Sequence, residues 1–292
     1  FREGGQGGVE TKRGCPARCI YCADPLAKGR TLRLRSPEKV AEEFRSLLSQ
    51  GVTHLHLCDS EFNLPLEHAL GVSRELIAQG LGEEMRWWAY LAPKPFPREL
   101  ARLMKRAGCA GINFGADSGS DRMLKRLGRD FGREDLRETA RICREEGITL
   151  MFDLLLGGPG EDRESPGETI SLMKEIGPDR VGASLGVRVY PGTELARQVR
   201  REGLGGENPN LKGAIEGNGS FLKPIFYLSR KMGDDPEGYL RELIAGDERF
   251  FLGSRPGEEG SYNYNANEVL LEAIRSGERG AYWDILRRVR PP

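Results

Sequence analysis

Residues 8–22 read GVETKRGCPARCIYC, a short strand-like segment that runs directly into three closely spaced cysteines. Cys15, Cys19 and Cys22 form the pattern C-x-x-x-C-x-x-C. Thiolates this close in sequence can converge on one metal centre when a loop holds them. The loop follows the first predicted strand, which is where a parallel α/β protein carries its site. The loop therefore predicts both a parallel α/β fold and a metal centre.

From this loop to about residue 195, short apolar runs alternate with amphipathic segments, a rhythm that predicts β-α units on a parallel sheet. Six such units fall short of the eight in a complete barrel. We therefore predict an α/β fold, a partial (β/α)6 TIM-like barrel. Its predicted strands cover residues 8–12, 54–58, 86–91, 111–115, 148–156 and about 180–190.

The rhythm stops after residue 195. Residues 203–220 are rich in Gly and Asn, and an apolar run at 221–228 is followed by three helix candidates. We predict a core of residues 1–195 and a smaller, mostly helical C-terminal subdomain of residues 196–292. Several of the predicted strands end in polar residues, which indicates a ligand-binding site at this edge of the sheet. These residues include Asp59, Glu61, Asp117 and Glu161.

The charge composition does not favour binding to nucleic acid or to membranes. The 44 basic residues balance the 44 acidic ones, so no net field draws the chain to nucleic acid or to an anionic membrane. No stretch approaches the length of a membrane-spanning helix. The three cysteines outside the cluster are scattered singly in apolar segments, as in a reducing compartment. We expect a cytoplasmic protein.

The triad, placed on the loop after the first strand, resembles that of the radical S-adenosylmethionine (SAM) superfamily. The resemblance implies a 4Fe-4S cluster on Cys15, Cys19 and Cys22, with one iron left open for SAM. An electron from the cluster then cleaves SAM reductively and gives a 5′-deoxyadenosyl radical. It also implies an external electron donor of the flavodoxin or ferredoxin type. The alternative is a zinc-stabilised, non-catalytic binding module, completed by His54, His56 or Cys58.

Further motifs are similar to this superfamily in their order along the chain. Tyr21, the aromatic residue before the third cysteine, would contact adenine through its backbone. Asp59-Ser60-Glu61 stands where the family often has Gly-Gly-Glu, so either Asp59 or Glu61 would meet the SAM amino group. Asp117 and Ser118 would suit the ribose and methionyl ends of SAM.

Two later motifs extend the resemblance to about residue 195. Gly157, in a Gly-Gly-Pro-Gly turn, is similar to the family's adenine-binding turn. Arg188 would pair with the SAM carboxylate through a bidentate fork. Tyr190 is the one candidate catalytic side chain, and packing explains it equally well.

Within the superfamily, several segments look most like the cobalamin-associated branch, which includes methyltransferases: 10–15, 22–25, 119–121, 263–265 and 280–286. Members of that branch carry a cobalamin domain before the core. Only 14 residues precede Cys15, so we expect cobalamin only on a domain outside this chain. The implied reaction methylates or rearranges a small or lipid-like substrate. A methylthiotransferase acting on nucleic acid is the other alternative, disfavoured by the neutral charge and the single cysteine triad.

Overall fold

The computed structural model describes residues 3–204, 208–252 and 267–289. Residues 263–265, which contribute to the resemblance described above, lie outside these ranges. The strands are β1 (Gly7–Val9), β2 (Lys12–Arg13), β3 (Arg33–Leu34), β4 (His54–Leu57), β5 (Arg86–Leu91), β6 (Cys109–Asp117), β7 (Thr149–Leu156), β8 (Arg180–Leu185), β9 (Val187–Arg188), β10 (Leu211–Gly213), β11 (Ile225–Tyr227) and β12 (Phe250–Phe251).

The helices lie between these strands and after them. They are α1 (Asp24–Ala27), α2 (Pro37–Ser49), α3 (Leu66–Ala78), α4 (Leu81–Glu84), α5 (Arg98–Arg106), α6 (Asp121–Leu127), α7 (Arg133–Glu146), α8 (Glu164–Ile176), α9 (Glu194–Glu202), α10 (Pro236–Ile244), α11 (Glu268–Arg275) and α12 (Tyr282–Val289). A 3-10 turn spans Arg230–Met232.

A parallel sheet forms the centre, in the order β1-β4-β5-β6-β7-β8-β12. The predicted α/β fold is confirmed, and its six strands follow one another in chain order. The seventh strand, β12, was not predicted, and it pairs with β8 through Phe250 and Val181. Because β1 and β12 stand at opposite ends of this order, the described sheet is an open, partial barrel.

Local sequence explains where the elements begin and end. Ser36 caps α2 by accepting a hydrogen bond from the Lys39 N–H, and Pro37 opens the helix. Leu55 and Leu57 of β4 are fully buried with Phe44 of α2 in the main core. The alternate residues of each central strand therefore point away from the helices, onto what we call the inner face of the sheet.

The region after residue 185 contains more strand than expected. The predicted sixth strand ends at Leu185, where Gly186 turns the chain with a φ of +91°. The chain then forms β9, which joins β11 and β10 in a small antiparallel sheet. The apolar run at 221–228 supplies β11, with Ile225 and Tyr227 buried and Phe226 exposed between them.

The C-terminal helices close one end of the inner face. Trp283 of α12 packs with Trp88, Met151 and Ala281 in a buried cluster. Gly280 precedes α12 because a Cβ there would lie 2.5 Å from the Trp88 ring. The docking of the last helix through Trp283 agrees with its apolar sequence. Among the described residues, no helix is both long and apolar enough to cross a bilayer.

Candidate functional site

The cysteine loop is tied to two helix ends by backbone hydrogen bonds. The Ile20 N–H donates to the Leu127 carbonyl at the end of α6, over 3.0 Å. The Leu195 N–H, in the first turn of α9, donates to the Ile20 carbonyl over 2.8 Å. The Cys15 N–H donates to the Gly29 carbonyl over 3.0 Å. The loop is thus held at the carboxyl ends of the strands by contacts distant in sequence.

Gly128 allows α6 to approach the loop closely. It ends the helix with a φ of +79°, in the left-handed region. A Cβ at this position would lie 2.5 Å from the Arg18 carbonyl oxygen. Only glycine satisfies both the conformation and the close approach.

The three thiols of the triad are shielded to different degrees. Cys15 is buried, while Cys19 and Cys22 are half-buried. Burial raises the pKa of each thiol, and that of Cys22 reaches about 11. As free groups they are protonated thiols, so a bound metal has to supply the positive charge that stabilises thiolates.

Arg129, which the sequence analysis did not single out, lies at the centre of the site. Its Nη1 donates to the Cys19 Sγ over 2.9 Å, and its Nη2 donates to the Gly115 carbonyl over 2.7 Å. The guanidinium also lies over the Phe131 ring, 4.8 Å from its centroid. Its side chain is only 7% exposed. A charged donor is therefore fixed against one of the cysteine sulfurs.

Two predicted cofactor-binding carboxylates face Arg129. The Asp117 Oδ2 lies 3.4 Å from the Arg129 Nε, and the Glu61 Oε1 lies 3.7 Å from its Nη2. The Tyr21 hydroxyl donates to the Asp117 Oδ2 over 2.5 Å. Asp117 ends β6 with a φ of +60°, which is a strained conformation for a non-glycine residue. Four residues that lie far apart in sequence thus meet beside Cys19.

The charges of this group are strongly coupled. Burial raises the pKa of Glu61 to about 7, against the lowering effect of Arg129. Burial likewise raises the pKa of Asp117. Burial lowers the pKa of Arg129, but Asp117 and its other anionic neighbours outweigh this and keep the pKa well above its usual value. The site therefore holds one fixed cation and a carboxyl that titrates near neutrality.

Asp59, the other acid of this predicted motif, accepts hydrogen bonds from Thr11 and Lys12. Its Oδ1 accepts hydrogen bonds from the Thr11 N–H over 2.8 Å and the Lys12 N–H over 3.3 Å. Its Oδ2 accepts one from the Thr11 hydroxyl over 2.5 Å. Both carboxylate oxygens are thus engaged by the chain that leads into the cysteine loop, and Glu61 is the acid of this motif that faces Arg129.

Ser118 and Gly157 are engaged by neighbouring protein groups. The Ser118 hydroxyl lies 3.0 Å from the Thr169 hydroxyl of α8. The Gly157 N–H donates to the Glu161 Oε2 over 2.6 Å, as does the Gly158 N–H over 3.0 Å. Glu161 is fully buried and holds the glycine turn in shape.

Arg188 and Tyr190 lie on the small antiparallel sheet. The Arg188 guanidinium carbon is 5.4 Å from the centroid of Tyr190 and 5.5 Å from that of Phe226. Within the described residues, its buried Nε has no hydrogen-bond partner. Tyr190 is 43% exposed. The Arg188 guanidinium is therefore a cation flanked by two aromatic rings, on a different sheet from the strand that carries Asp117.

A cavity of about 340 Å³ opens beside the Arg129 group. Cys19, Glu61 and Arg129 all contribute to its wall. The rest of its lining consists of Pro16, Ala17, Arg18, Leu64, Ala92, Gly128 and Asp130. One of the cysteines and the central cation are therefore accessible to a small molecule.

Comparison with known proteins gives matches over the same core. Residues 9–173 match the family described as the radical SAM superfamily. The chain is 31% identical to a tryptophan 2-C-methyltransferase from Streptomyces laurentii, over 97% of this chain and 56% of that protein.

Solved structures agree with the sequence match. The radical SAM methyltransferase TsrM from Kitasatospora setae, described with tryptophan and a SAM analogue bound, superposes with a TM-score of 0.87 and 29% identity. That match covers 99% of this chain and 62% of TsrM. The cobalamin-dependent radical SAM enzyme OxsB shares the fold, with a TM-score of 0.61 at 18% identity over 97% of this chain and 49% of OxsB. The chain thus spans little more than half the length of its methyltransferase relatives.

Proposed function

This chain belongs to the radical SAM superfamily, and we propose that it is the core of a cobalamin-dependent methyltransferase that acts on a small amino-acid-like molecule. The observation that carries the proposal is Arg129, which joins a cysteine sulfur to the buried Asp117 carboxyl and the half-buried Glu61 carboxyl beside an open cavity. Membership of the family sets aside the zinc-module alternative.

The residues present fit the family's cofactors. Three thiols on one clamped loop are the donor set that a 4Fe-4S cluster needs when one iron stays open. A guanidinium N–H directed at the Cys19 Sγ suits a sulfur that carries negative charge. The Nε of Arg129 is buried and lies 3.4 Å from the Asp117 Oδ2, so this carboxylate balances the cation that faces the sulfur.

Cys15, Cys19 and Cys22 would hold the cluster, which supplies an electron, while SAM supplies the group that is transferred or the radical. Glu61 would accept hydrogen bonds from the SAM amino group. Its proton would be released there, because the added cation lowers a pKa that burial has raised to about 7.

In this proposal the remaining predicted residues orient the cofactor and shield it from water. Tyr21 and Asp117, which are hydrogen-bonded to each other, would orient the cofactor beside Cys19, and the Gly157 turn would contact adenine. Arg188, with its unpartnered Nε, would bind a carboxylate at the rim. Asp59 would position the loop through Thr11 and would not touch the cofactor.

We assign an amino-acid-like substrate, rather than a lipid, because one relative is described as a tryptophan 2-C-methyltransferase and the similar TsrM structure is described with tryptophan as substrate. Cobalamin would be supplied by a domain outside this chain. A flavodoxin- or ferredoxin-type protein would donate electrons. A cytoplasmic location belongs to the same proposal, since unpaired cysteines persist where thiols stay reduced.

The test is anaerobic reconstitution with iron and sulfide, followed by metal analysis and incubation with SAM, methylcobalamin, a reductant and tryptophan. We expect about four irons per chain, together with methylated product or 5′-deoxyadenosine. Cys19→Ser should lose both the iron and the products. Cys109→Ser, which changes a buried cysteine on β6 away from the loop, is the matched control and should keep them. One zinc per chain in place of iron would overturn the proposal.

A further inference from the structure

Asn113 on the inner face of β6 has an unsatisfied acceptor. Its Nδ2 donates to the Asp153 Oδ2 over 2.8 Å, and this bond fixes the orientation of the amide. The residue is only 2% exposed. Its Oδ1 is buried and finds no hydrogen-bond partner in the described part of the chain. Buried acceptors are nearly always paired, so an unpaired one needs an explanation.

We propose that the Asn113 Oδ1 and the Asp153 carboxylate bind the protonated amine of the substrate. This subsite rests on the proposed function, which it makes more specific. An amide oxygen and a carboxylate together offer acceptors only, and an ammonium group offers donors only. Hydrogen bonds in which the donor or the acceptor is ionised are the strong ones.

The position of Asn113 along β6 places the subsite below the cysteine site. Gly115 is two residues further on the same face, and its backbone carbonyl accepts from Arg129. At ~3.3 Å of rise per residue, the two positions are ~6.6 Å apart along the strand. A small molecule with its amine at Asn113 would thus extend toward the Arg129 group.

Part of the inner face around Asn113 is open to solvent, as the exposure of Tyr90 shows. Gly111 and Gly115 flank Asn113 on the same face and carry no side chain. At Gly111 a Cβ would lie 2.9 Å from the Trp88 ring and 3.0 Å from that of Trp283, so these rings form a floor. Tyr90, the register partner of Asn113 on β5, is 44% exposed although it lies within the sheet.

The nearby His56 and Tyr90 side chains are neutral and add no positive charge to the subsite. The His56 ring lies 4.7 Å from that of Tyr90, and burial lowers the pKa of His56, so its imidazole is neutral. Burial, followed by the Asp153 charge, raises the pKa of Tyr90 to about 12. A cationic group of a ligand would therefore be favoured over an anionic one.

The test compares two probes that differ in charge, tryptamine and indole-3-propionate, by equilibrium dialysis against the reconstituted chain. We expect tryptamine to bind at least tenfold more tightly. Asp153→Asn keeps an acceptor for the Asn113 amide but removes the charge, so tryptamine affinity should fall about tenfold while that of indole-3-propionate does not fall. Asn113→Leu should lower the affinity for tryptamine by a similar factor.

Ser184→Ala, on the exposed part of the same inner face, is the control and should bind tryptamine as the wild type does. Equal binding of both probes, no binding of tryptamine, or equal losses for both probes in Asp153→Asn would each overturn the subsite. Iron content and SAM binding are measured on the same samples. If they are normal while probe discrimination is absent, the subsite fails and the proposed function stands.

Discussion

At the scale of single residues, Arg129 connects the cysteine loop to the acids of the strand tips. Its N–H···S bond to Cys19 places positive charge beside a sulfur that would bind the proposed cluster. Such hydrogen bonds stabilise the reduced, more negative cluster and so raise its reduction potential. Arg129→Gln keeps polar atoms but removes the charge. We expect this variant to lower the midpoint potential of the cluster by ~59 mV. For a one-electron couple, that shift lowers the ratio of reduced to oxidised cluster about tenfold at a fixed solution potential.

An electron paramagnetic resonance titration of the reconstituted cluster against potential measures this shift. Arg129→Lys keeps the charge, so its midpoint potential should lie between those of Arg129→Gln and the wild type. A general loss of packing would lower the melting temperature and the iron content without moving the midpoint of the remaining clusters. An unchanged midpoint in Arg129→Gln would refute the assigned role.

Glu161 predicts a pH dependence of stability. Burial raises its pKa in the folded chain from 4.5 to about 7, although the Gly157 and Gly158 N–H groups oppose the rise. The folded state therefore holds this proton to higher pH than the unfolded state does. The free energy of unfolding should then fall as pH rises from about 4.5 to about 7, by about 1–3 kcal/mol from this group.

Glu161→Gln removes the ionisation, and its amide can still accept from the glycine N–H groups and bond to Ser165. Urea unfolding at pH 5 and pH 7.5 should show a smaller loss of stability in this variant than in the wild type. Glu61 contributes a similar loss to both proteins and cancels in the comparison. Equal losses would mean that Glu161 titrates at its ordinary pKa.

At the scale of elements, the end of α6 has a function in placing the loop. Gly128→Ala and Gly80→Ala both put a side chain at a left-handed φ, +79° and +72° respectively. Each should lose about 1–2 kcal/mol of stability for that reason. Only at Gly128 does the new Cβ meet backbone, the Arg18 carbonyl at 2.5 Å, whereas nothing lies within 4 Å at Gly80.

We therefore expect Gly128→Ala, but not Gly80→Ala, to bind less iron after reconstitution, as measured by metal analysis and visible absorbance. If the two variants retain equal iron at matched stability, the contact between α6 and the loop does not position the cysteines.

Elements with strong local patterns could be predicted from the sequence, and those made by long-range pairing could not. The strand at residues 86–91 was located at both ends, since a compact run of large apolar residues marks it. β12 has only Phe250 and Phe251, and its strand conformation comes from pairing with β8. No periodicity can show in two residues.

The same division holds for the candidate site. The cysteine loop has a local spacing that can be read directly, whereas Arg129 and Cys19 are separated by 110 positions and carry no local signal of their contact. Asp59 and Glu61 are nearly adjacent, and the sequence did not distinguish them. Only the fold sends Asp59 to Thr11 and Glu61 to Arg129.

At the scale of the whole molecule, the division at residue 195 stays a prediction, and the structure suggests a test of it. Leu240, Ile244 and Phe250 belong to the same buried cluster as the barrel strands, and Trp283 packs on Trp88. Elements that share a core unfold together. We therefore expect one cooperative urea transition, with the same midpoint by far-ultraviolet circular dichroism and by tryptophan fluorescence.

Trp283→Ala tests how strongly the C-terminal helices support the barrel. Removing a buried tryptophan costs about 3–5 kcal/mol, because apolar contacts are lost and a cavity remains. Trp88 and Met151 of the central strands line that cavity, so the loss should shift the whole transition rather than split it. Leu222→Ala, at a side chain that is 75% exposed, should change the midpoint little. Two separated transitions, with the barrel unaffected by Trp283→Ala, would show that the region after residue 195 folds on its own.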